Sequence, residues 1–186
     1  QEHWVRREAR SANIEGKGSI SIRDLFRNCL RMRPDRIVIG ECRSGEALDM
    51  LQAMNTGHDG SMTTIHANST RDVLTRLDSM ILMSGVELPI RAIREMTASA
   101  IDVVIQSARL SDGSRKITQI TEVVGMDDEL HIKFEDIFRF KQISIDREHN
   151  NKVIGSFVAT GHIPSFYDEL VTRGINLPKE VFSAPS

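Results

Sequence analysis

Few cysteines and no long apolar run set the first limits on this sequence. Its 186 residues include two cysteines, Cys29 and Cys42, which match no C-x-x-C pattern, so a disulfide framework is not expected and a reducing cytosol is favoured. No apolar run approaches about 18 residues, so no membrane-spanning helix is expected. The chain lacks an initiator methionine and a signal peptide, and we expect it to be a fragment of a longer protein.

Strong charge of either sign is also missing. Lys and Arg total 24 and Asp and Glu total 26, which leaves a formal net charge of −2 at pH 7. This balance argues against non-specific nucleic-acid binding, which requires a basic surface. Because 40% of the residues are hydrophobic, the chain can bury a real core, as one domain or as a domain with an appendage.

The apolar pattern predicts helices that alternate with short strands over the first hundred residues. Two helices are predicted to begin at Ser-x-x-Asp capping boxes, at 21–24 and 69–72. Two more are predicted to begin near Ser44 and after Pro89. Strands are predicted at 4–10, 36–41 and 61–67. Strands separated by helices favour a parallel sheet with crossover helices.

A change of character follows. Residues 101–110 and 115–126 read as two strands of a hairpin, joined through Asp112-Gly113. The tail, 130–182, combines short β-prone pieces with a small helix after Pro164. The sequence therefore predicts a core over 1–126 and a β-rich and helical appendage over 127–186.

Polar side chains lie at the ends of the two apolar strands. Strand 36–41 ends in Gly40-Glu41, and strand 61–67 carries His66 near its end. Ligands of open parallel sheets bind beyond the carboxyl ends of the strands. A carboxylate there can help hold Mg²⁺ or activate a water, and a neutral histidine can donate to a phosphate.

Each candidate also has an ordinary structural interpretation. Glu41 could be a solvated loop carboxylate, His58 a surface turn residue, and His66 a histidine satisfied at a strand end. Arg6 and Arg10 could form the solvated face of the first strand. Sequence reasoning from single residues does not decide between these alternatives.

Two other kinds of chemistry have weaker support. Zinc binding by Cys42, His58 and His66 would match no zinc spacing, and a Cys–His nucleophile pair built on Cys29 or Cys42 has no supporting pattern. A metal-dependent hydrolase using Glu41, His58 and His66 is a further alternative.

The order of these features resembles one known family. The stretch "RMRPDRIVIGECRSGEALDMLQAMNTGHDGSMTTIHANS" (31–69) resembles the Walker B and histidine boxes of the secretion ATPase superfamily, which drives type II secretion, type IV secretion and type IV pili, and within it the Tad/Flp pilus branch. Residues 13–36, 99–126 and 159–178 support the match. The resemblance implies an α/β fold: a RecA-like P-loop NTPase core with a mostly parallel sheet, truncated at its N-terminus, and a small C-terminal appendage.

The resemblance also assigns roles to residues. It implies that Glu41 acts on Mg²⁺ and on the hydrolytic water, and that His66 approaches the terminal phosphate of the nucleotide. It implies a nucleotide-binding frame of Gly40, Gly57, His58, Gly60 and Thr64.

Two arginines near the start complete the implied catalytic set. Arg6 and Arg10 match arginines that meet a nucleotide across a subunit boundary in this family. The stretch "WVRREAR" departs from the expected "VVRLETR" at positions that include Arg7 and Ala9, which lie on the face of that strand opposite Arg6 and Arg10.

One family motif is missing from these residues. No GxxxxGK[S/T] sequence occurs, although this P-loop is what cradles phosphates and Mg²⁺. The resemblance implies that the complete protein uses ATP and Mg²⁺ to power pilus assembly or export. It implies a hexameric ring bound to a platform protein at the cytoplasmic face of the inner membrane. Because the P-loop is missing, this fragment alone is expected to be inactive. The alternatives are a conjugative or type IV secretion ATPase, a twitching-motility motor, or a non-catalytic interaction module.

Overall fold

A computed structural model describes residues 4–148 and 151–185 of the chain. The chain divides into two compact units, with the boundary between Ala100 and Ile101. The boundary predicted after residue 126 lies 26 positions later in the chain. The hairpin that ends at residue 126 pairs with the next strand and so lies in the second unit, and the division of the complete motor domain after residue 126 stays a prediction.

The first unit contains the four predicted helices. They are α1 (Ile22–Leu30), α2 (Glu46–Met54), α3 (Thr70–Leu82) and α4 (Ile90–Ala100). The capping box of α1 is confirmed: the Asp24 backbone N–H donates to Ser21 Oγ at 3.1 Å, and the Ser21 N–H donates to Asp24 Oδ2 at 3.0 Å. These bonds satisfy amide groups that a helix start leaves unpaired.

Two short strands pair in parallel, as the sequence predicted. They are β1 (Val38–Ile39) and β2 (Met62–Thr63), in the register Val38↔Met62 and Ile39↔Thr63. Ile39 is buried, whereas Val38 and Met62 are 50% and 58% exposed. The apolar run thus marks a strand with one covered face in this chain.

The strand predicted at 4–10 is wrong for the described residues of that range. They form a single antiparallel bridge, Arg10↔Ile20, and residues 4–20 are exposed. Alternating side chains produce a strand only where a partner strand pairs with the backbone groups. Of residues 4–10, only Arg10 is paired in this way, in its bridge to Ile20.

The core of the first unit lies where α2 meets its neighbours. Leu51, Leu77, Ile81 and Ile93 are fully shielded from solvent. Burial of each such side chain stabilises the fold by roughly 1.5–3 kcal/mol before the entropy of ordering is subtracted. Because α2 follows β1 directly, this core also anchors the segment that carries Glu41.

The second unit is built on an antiparallel sheet. Its strands β3 (Val103–Arg109), β4 (Arg115–Met126), β5 (Ile132–Asp146) and β6 (Lys152–Ala159) are hydrogen-bonded in chain order. The hairpin through Asp112-Gly113 is confirmed, with Gly113 at φ +80°. The expectation of a mostly parallel sheet is wrong for this chain, because short turns rather than crossover helices join these strands.

Two small helices complete this unit. They are α5 (Tyr167–Thr172), which confirms the helix predicted after Pro164, and a 3₁₀ turn (Lys179–Phe182). Tyr167 and Phe182 pack edge to face against each other beside Ile137. None of the helices in the two described ranges is both long enough and apolar enough to cross a membrane.

A buried carboxylate ties the sheet to the segment before α5. Glu122 on β4 is 1% exposed, and its Oε2 lies 2.5 Å from His162 Nε2. Its Oε1 accepts the Ser165 backbone N–H at 2.9 Å and the Ser165 hydroxyl. Burial alone would raise the pKa of Glu122, but the hydrogen bonds from Ser165 and His162 outweigh it and hold the pKa below its usual range.

We predict that Glu122→Ala lowers the free energy of unfolding of the second unit by about 2–4 kcal/mol, because it leaves the Ser165 and His162 donors without their acceptor. The lowered pKa means that the carboxylate stabilises the fold above its unfolded pKa, and that this effect is lost as the pH falls through the folded value. The gap between the variant and the wild type should therefore narrow below about pH 4.

Urea unfolding followed by the near-ultraviolet dichroism of Tyr167, the only tyrosine, measures this difference. The exposed Glu180 is the matched control, and Glu180→Ala should change the free energy by less than about 0.5 kcal/mol. Equal losses in the two variants would contradict a bracing role for Glu122.

Candidate active site

Parallel pairing of β1 and β2 brings together Glu41 and His66, two of the four predicted catalytic residues. Beyond the strands, the Cys42 N–H donates to the Thr64 carbonyl at 2.9 Å, and Thr64 Oγ1 donates to the Gly40 carbonyl at 2.6 Å. These bonds hold the two strand ends side by side. Glu41 Oε1 consequently lies 2.7 Å from His66 Nε2.

A residue that sequence reasoning missed completes this group. Arg43 Nε lies 2.5 Å from Glu41 Oε2, and Arg43 Nη2 contacts the same oxygen. The only signal in the sequence is a basic residue two positions after the glutamate, which is too common to select it. The site therefore consists of one carboxylate between a guanidinium and an imidazole.

The two partners set the ionisation of the carboxylate. The hydrogen bond from Arg43 is the main cause that lowers the pKa of Glu41; partial burial opposes it, and His66 adds to the lowering. Glu41 is therefore ionised at neutral pH, and an ionised carboxylate can only accept hydrogen bonds. It follows that His66 Nε2 carries the hydrogen in the contact with Glu41.

The site is open to solvent on the side of its partners. The Glu41 side chain is 21% exposed, whereas those of His66 and Arg43 are 82% and 69% exposed. Most of the Glu41 side chain is thus covered, and a ligand can reach its exposed part past the largely exposed side chains of His66 and Arg43.

A second carboxylate shapes the turn from β1 into α2. Glu46 is 6% exposed, and its Oε1 accepts the Arg43 N–H at 2.7 Å and the Ser44 N–H at 3.0 Å. These bonds tie the first residue of α2 to the two residues before Gly45, the N-cap, which makes no side-chain cap bond itself. Sequence reasoning also missed Glu46, which fixes the backbone that carries Arg43.

The other predicted frame residues have structural contacts. His58 Nδ1 lies 3.3 Å from the Ala53 carbonyl, and the His58 carbonyl accepts the Ser61 hydroxyl at 2.7 Å. Gly57 and Gly60 lie at φ +96° and +75°, a region where side chains are strained. These residues shape the turn between α2 and β2, and a role in nucleotide binding stays a prediction.

Arg6 and Arg10 lie outside the Glu41 group in the described part of the chain. Arg6 pairs with Glu8 at 2.5 Å, with both side chains mostly exposed, and Arg10 Nε donates to the Gly18 carbonyl at 2.9 Å. Their catalytic role stays a prediction that concerns a neighbouring subunit.

The alternative chemistries find little support in this geometry. Within residues 4–148 and 151–185, no three His, Cys, Asp or Glu side chains converge to hold a metal ion, so Glu41, His58 and His66 do not form a three-ligand site. Burial, reinforced by the nearby Glu46, raises the pKa of the Cys42 thiol to about 12. A thiol with that pKa is not a nucleophile at neutral pH.

Comparison with known proteins points to one family. Residues 5–150 match the family described as "Type II/IV secretion system protein". A relative from Mycobacterium tuberculosis, named for conjugal transfer, is 42% identical over 118 residues, which are 63% of this chain and 33% of the relative. The type IV secretion system protein VirB11 of Bartonella henselae is 36% identical over 112 residues, 59% of this chain and 31% of that protein.

A solved structure supports the same relationship. The crystal structure of the VirB11 ATPase from the Brucella suis type IV secretion system superposes with a TM-score of 0.51 at 37% identity, over 54% of this chain and 31% of that one. The α/β fold is thus similar to that of a VirB11 ATPase, and the chain spans about a third of the length of these relatives. The family match covers most of the chain, which therefore belongs to the type II/IV secretion system protein family.

Proposed function

We propose that this chain is the part of a secretion ATPase that carries the catalytic carboxylate and its partner histidine. The contact between Glu41 and His66, at the ends of two parallel strands, is the observation that carries the proposal. Two residues that are 25 positions apart in the sequence meet where α/β sheets bind their ligands. Membership of the secretion family and the ATPase named among its relatives support the same reaction.

The chemistry of the pair suits hydrolysis of a phosphoanhydride. An ionised Glu41 can accept a hydrogen bond from the attacking water and orient it toward the terminal phosphate. The Nε2–H of His66 is a donor that can turn from Glu41 to a phosphate oxygen, because its ring is mostly exposed.

The site also fits the Mg²⁺ that accompanies ATP. Proteins commonly hold Mg²⁺ through one or two carboxylates, with water and substrate phosphates as the other ligands. Glu41 is an ionised carboxylate at the edge of an open site, so it can hold the ion directly or through a water. Bound Mg²⁺ would neutralise charge on the phosphates.

We expect residues elsewhere in the complete protein to bind the phosphates of the nucleotide. Since the 186 residues contain no GxxxxGK[S/T] sequence, the phosphate cradle is expected in another segment of that protein. The chain alone is therefore expected not to hydrolyse ATP. The RecA-like P-loop core, with residues 1–126 as its C-terminal part and 127–186 as an appendage, is proposed for the complete protein.

The assembly and its place follow from the proposed motor. We expect a hexameric ring at the cytoplasmic face of the inner membrane, coupled to a membrane platform protein. The names of the relatives, conjugal transfer and type IV secretion, favour export through such a machine. The Tad/Flp pilus branch remains a prediction of the sequence motifs alone.

A non-catalytic interaction module is the second candidate. The absence of a P-loop from these residues favours it over a self-sufficient enzyme. The ion pair that holds Glu41 in an open site favours the motor, since an interaction module has no need of an ionised carboxylate held between two donors. Nucleotide binding by the complete protein separates the two.

We predict that Glu41→Gln in the complete protein lowers Mg²⁺-dependent ATP turnover by at least about 100-fold, because the neutral amide has one acceptor oxygen where the carboxylate has two, so it cannot both accept from Arg43 and orient the water. Nucleotide affinity should stay within about threefold. Initial-rate assays and equilibrium binding of a fluorescent ATP analogue measure the two quantities. Glu87→Gln, at an exposed glutamate, is the control, and turnover by Glu41→Gln near the wild-type rate would contradict the action of Glu41 on the water.

A separate prediction concerns Arg6. If it reaches a nucleotide on a neighbouring subunit, Arg6→Ala should lower the turnover of assembled rings by about 10-fold or more while binding by monomers changes little. Lys17→Ala, on the same exposed segment, is the matched control. Parallel losses in rings and monomers would argue against action between subunits.

A further inference from the structure

The two oxygens of Glu41 are occupied unequally. A carboxylate oxygen has two lone pairs and so accepts about two hydrogen bonds. Arg43 places both Nε and Nη2 on Oε2, which fills that oxygen, whereas among residues 4–148 and 151–185 the one donor to Oε1 is His66. One acceptor position therefore remains on the carboxylate, and it lies on Oε1, beside the imidazole.

We propose that Arg43 is a positioning residue for hydrolysis: it holds Oε2 of Glu41 and leaves Oε1 as the oxygen that orients the attacking water. The proposal rests on the function proposed above, in which Glu41 acts on that water. In this proposal, Arg43 determines which oxygen of Glu41 binds the water and in which direction that oxygen points.

The backbone around Arg43 is held in place for this role. The Arg43 N–H donates to the buried Glu46, and the preceding Cys42 is 1% exposed and bonded to the Thr64 carbonyl. Arg43 therefore starts from a fixed point next to Glu41, although its guanidinium lies at the surface. An arginine on a mobile surface loop would lack these two backbone hydrogen bonds, one at its own N–H and one at the N–H of the preceding residue.

The chemistry of arginine matters more than its charge. A guanidinium presents its N–H groups in a rigid planar fork, whereas a lysine ammonium is a rotating point charge. Two donors from one rigid plane hold Oε2 within a narrower range of directions than a single ammonium donor does. The competing interpretation is an exposed surface ion pair, which contributes little.

Kinetics of the complete protein test the proposal. Arg43→Ala should lower kcat for ATP about 10- to 100-fold, because a misdirected catalytic group costs that much, while KM stays within about twofold. Arg43→Lys should recover less than half of the loss. Guanidinium ions at about 20 mM should restore the activity of Arg43→Ala several-fold, and ammonium ions should not.

Arg91 provides the matched control, because it forms an exposed ion pair with Glu95 on α4. Arg91→Ala should keep wild-type kcat and should not respond to guanidinium. An unchanged kcat in Arg43→Ala, full recovery by lysine, or a loss confined to KM would each overturn the positioning role.

A measurement on the chain itself separates this proposal from the function on which it rests. Nuclear magnetic resonance of ¹⁵N-labelled protein should show resolved Nη signals for Arg43, since the fork restricts rotation of the guanidinium, and these signals should merge in Glu41→Gln. Merged signals in the wild type would overturn the proposal. Resolved signals in a complete protein whose turnover does not depend on Glu41 would instead overturn the proposed function, and with it the catalytic role of Arg43.

Discussion

The site depends on the pairing of two very short parallel strands. Each strand spans two residues, and the pairing is extended by the bonds from Cys42 to Thr64 and from Thr64 to Gly40. If these bonds were lost, Glu41 and His66 would sit on unconnected loops. The buried helix α2 keeps this short pairing in place, because it anchors the chain directly after β1. The proposed function thus rests on a small sheet held by a helical core.

The charges around Glu41 then determine the protonation state of its carboxylate. A carboxylate beside a guanidinium and an imidazole stays ionised, and its low pKa makes it a weaker base but a constant acceptor. Such a group suits orientation of a water more than removal of its proton. This agrees with phosphoryl transfer, where positioning and charge stabilisation carry most of the catalysis.

Local sequence signals predicted the elements well where the chemistry is local. The capping box of Ser21 and Asp24, and the turn at Asp112-Gly113, need only neighbouring residues. The strand β5 forms one continuous element because β4 and β6 pair with it along its two edges, and this support is not visible in its own sequence, which reads as separate short pieces. Arg43 could not be singled out, because its proposed role follows from the direction of its side chain.

A structure of the complete protein with Mg²⁺ and a non-hydrolysable ATP analogue tests the central claim most directly. We predict that Glu41 Oε1 is the carboxylate oxygen nearest the terminal phosphate, within about 6 Å so that one water fits between them. Arg43 should still contact Oε2. A terminal phosphate more than about 10 Å from Glu41, or facing Oε2 with Arg43 displaced, would contradict the proposed catalytic role of this carboxylate.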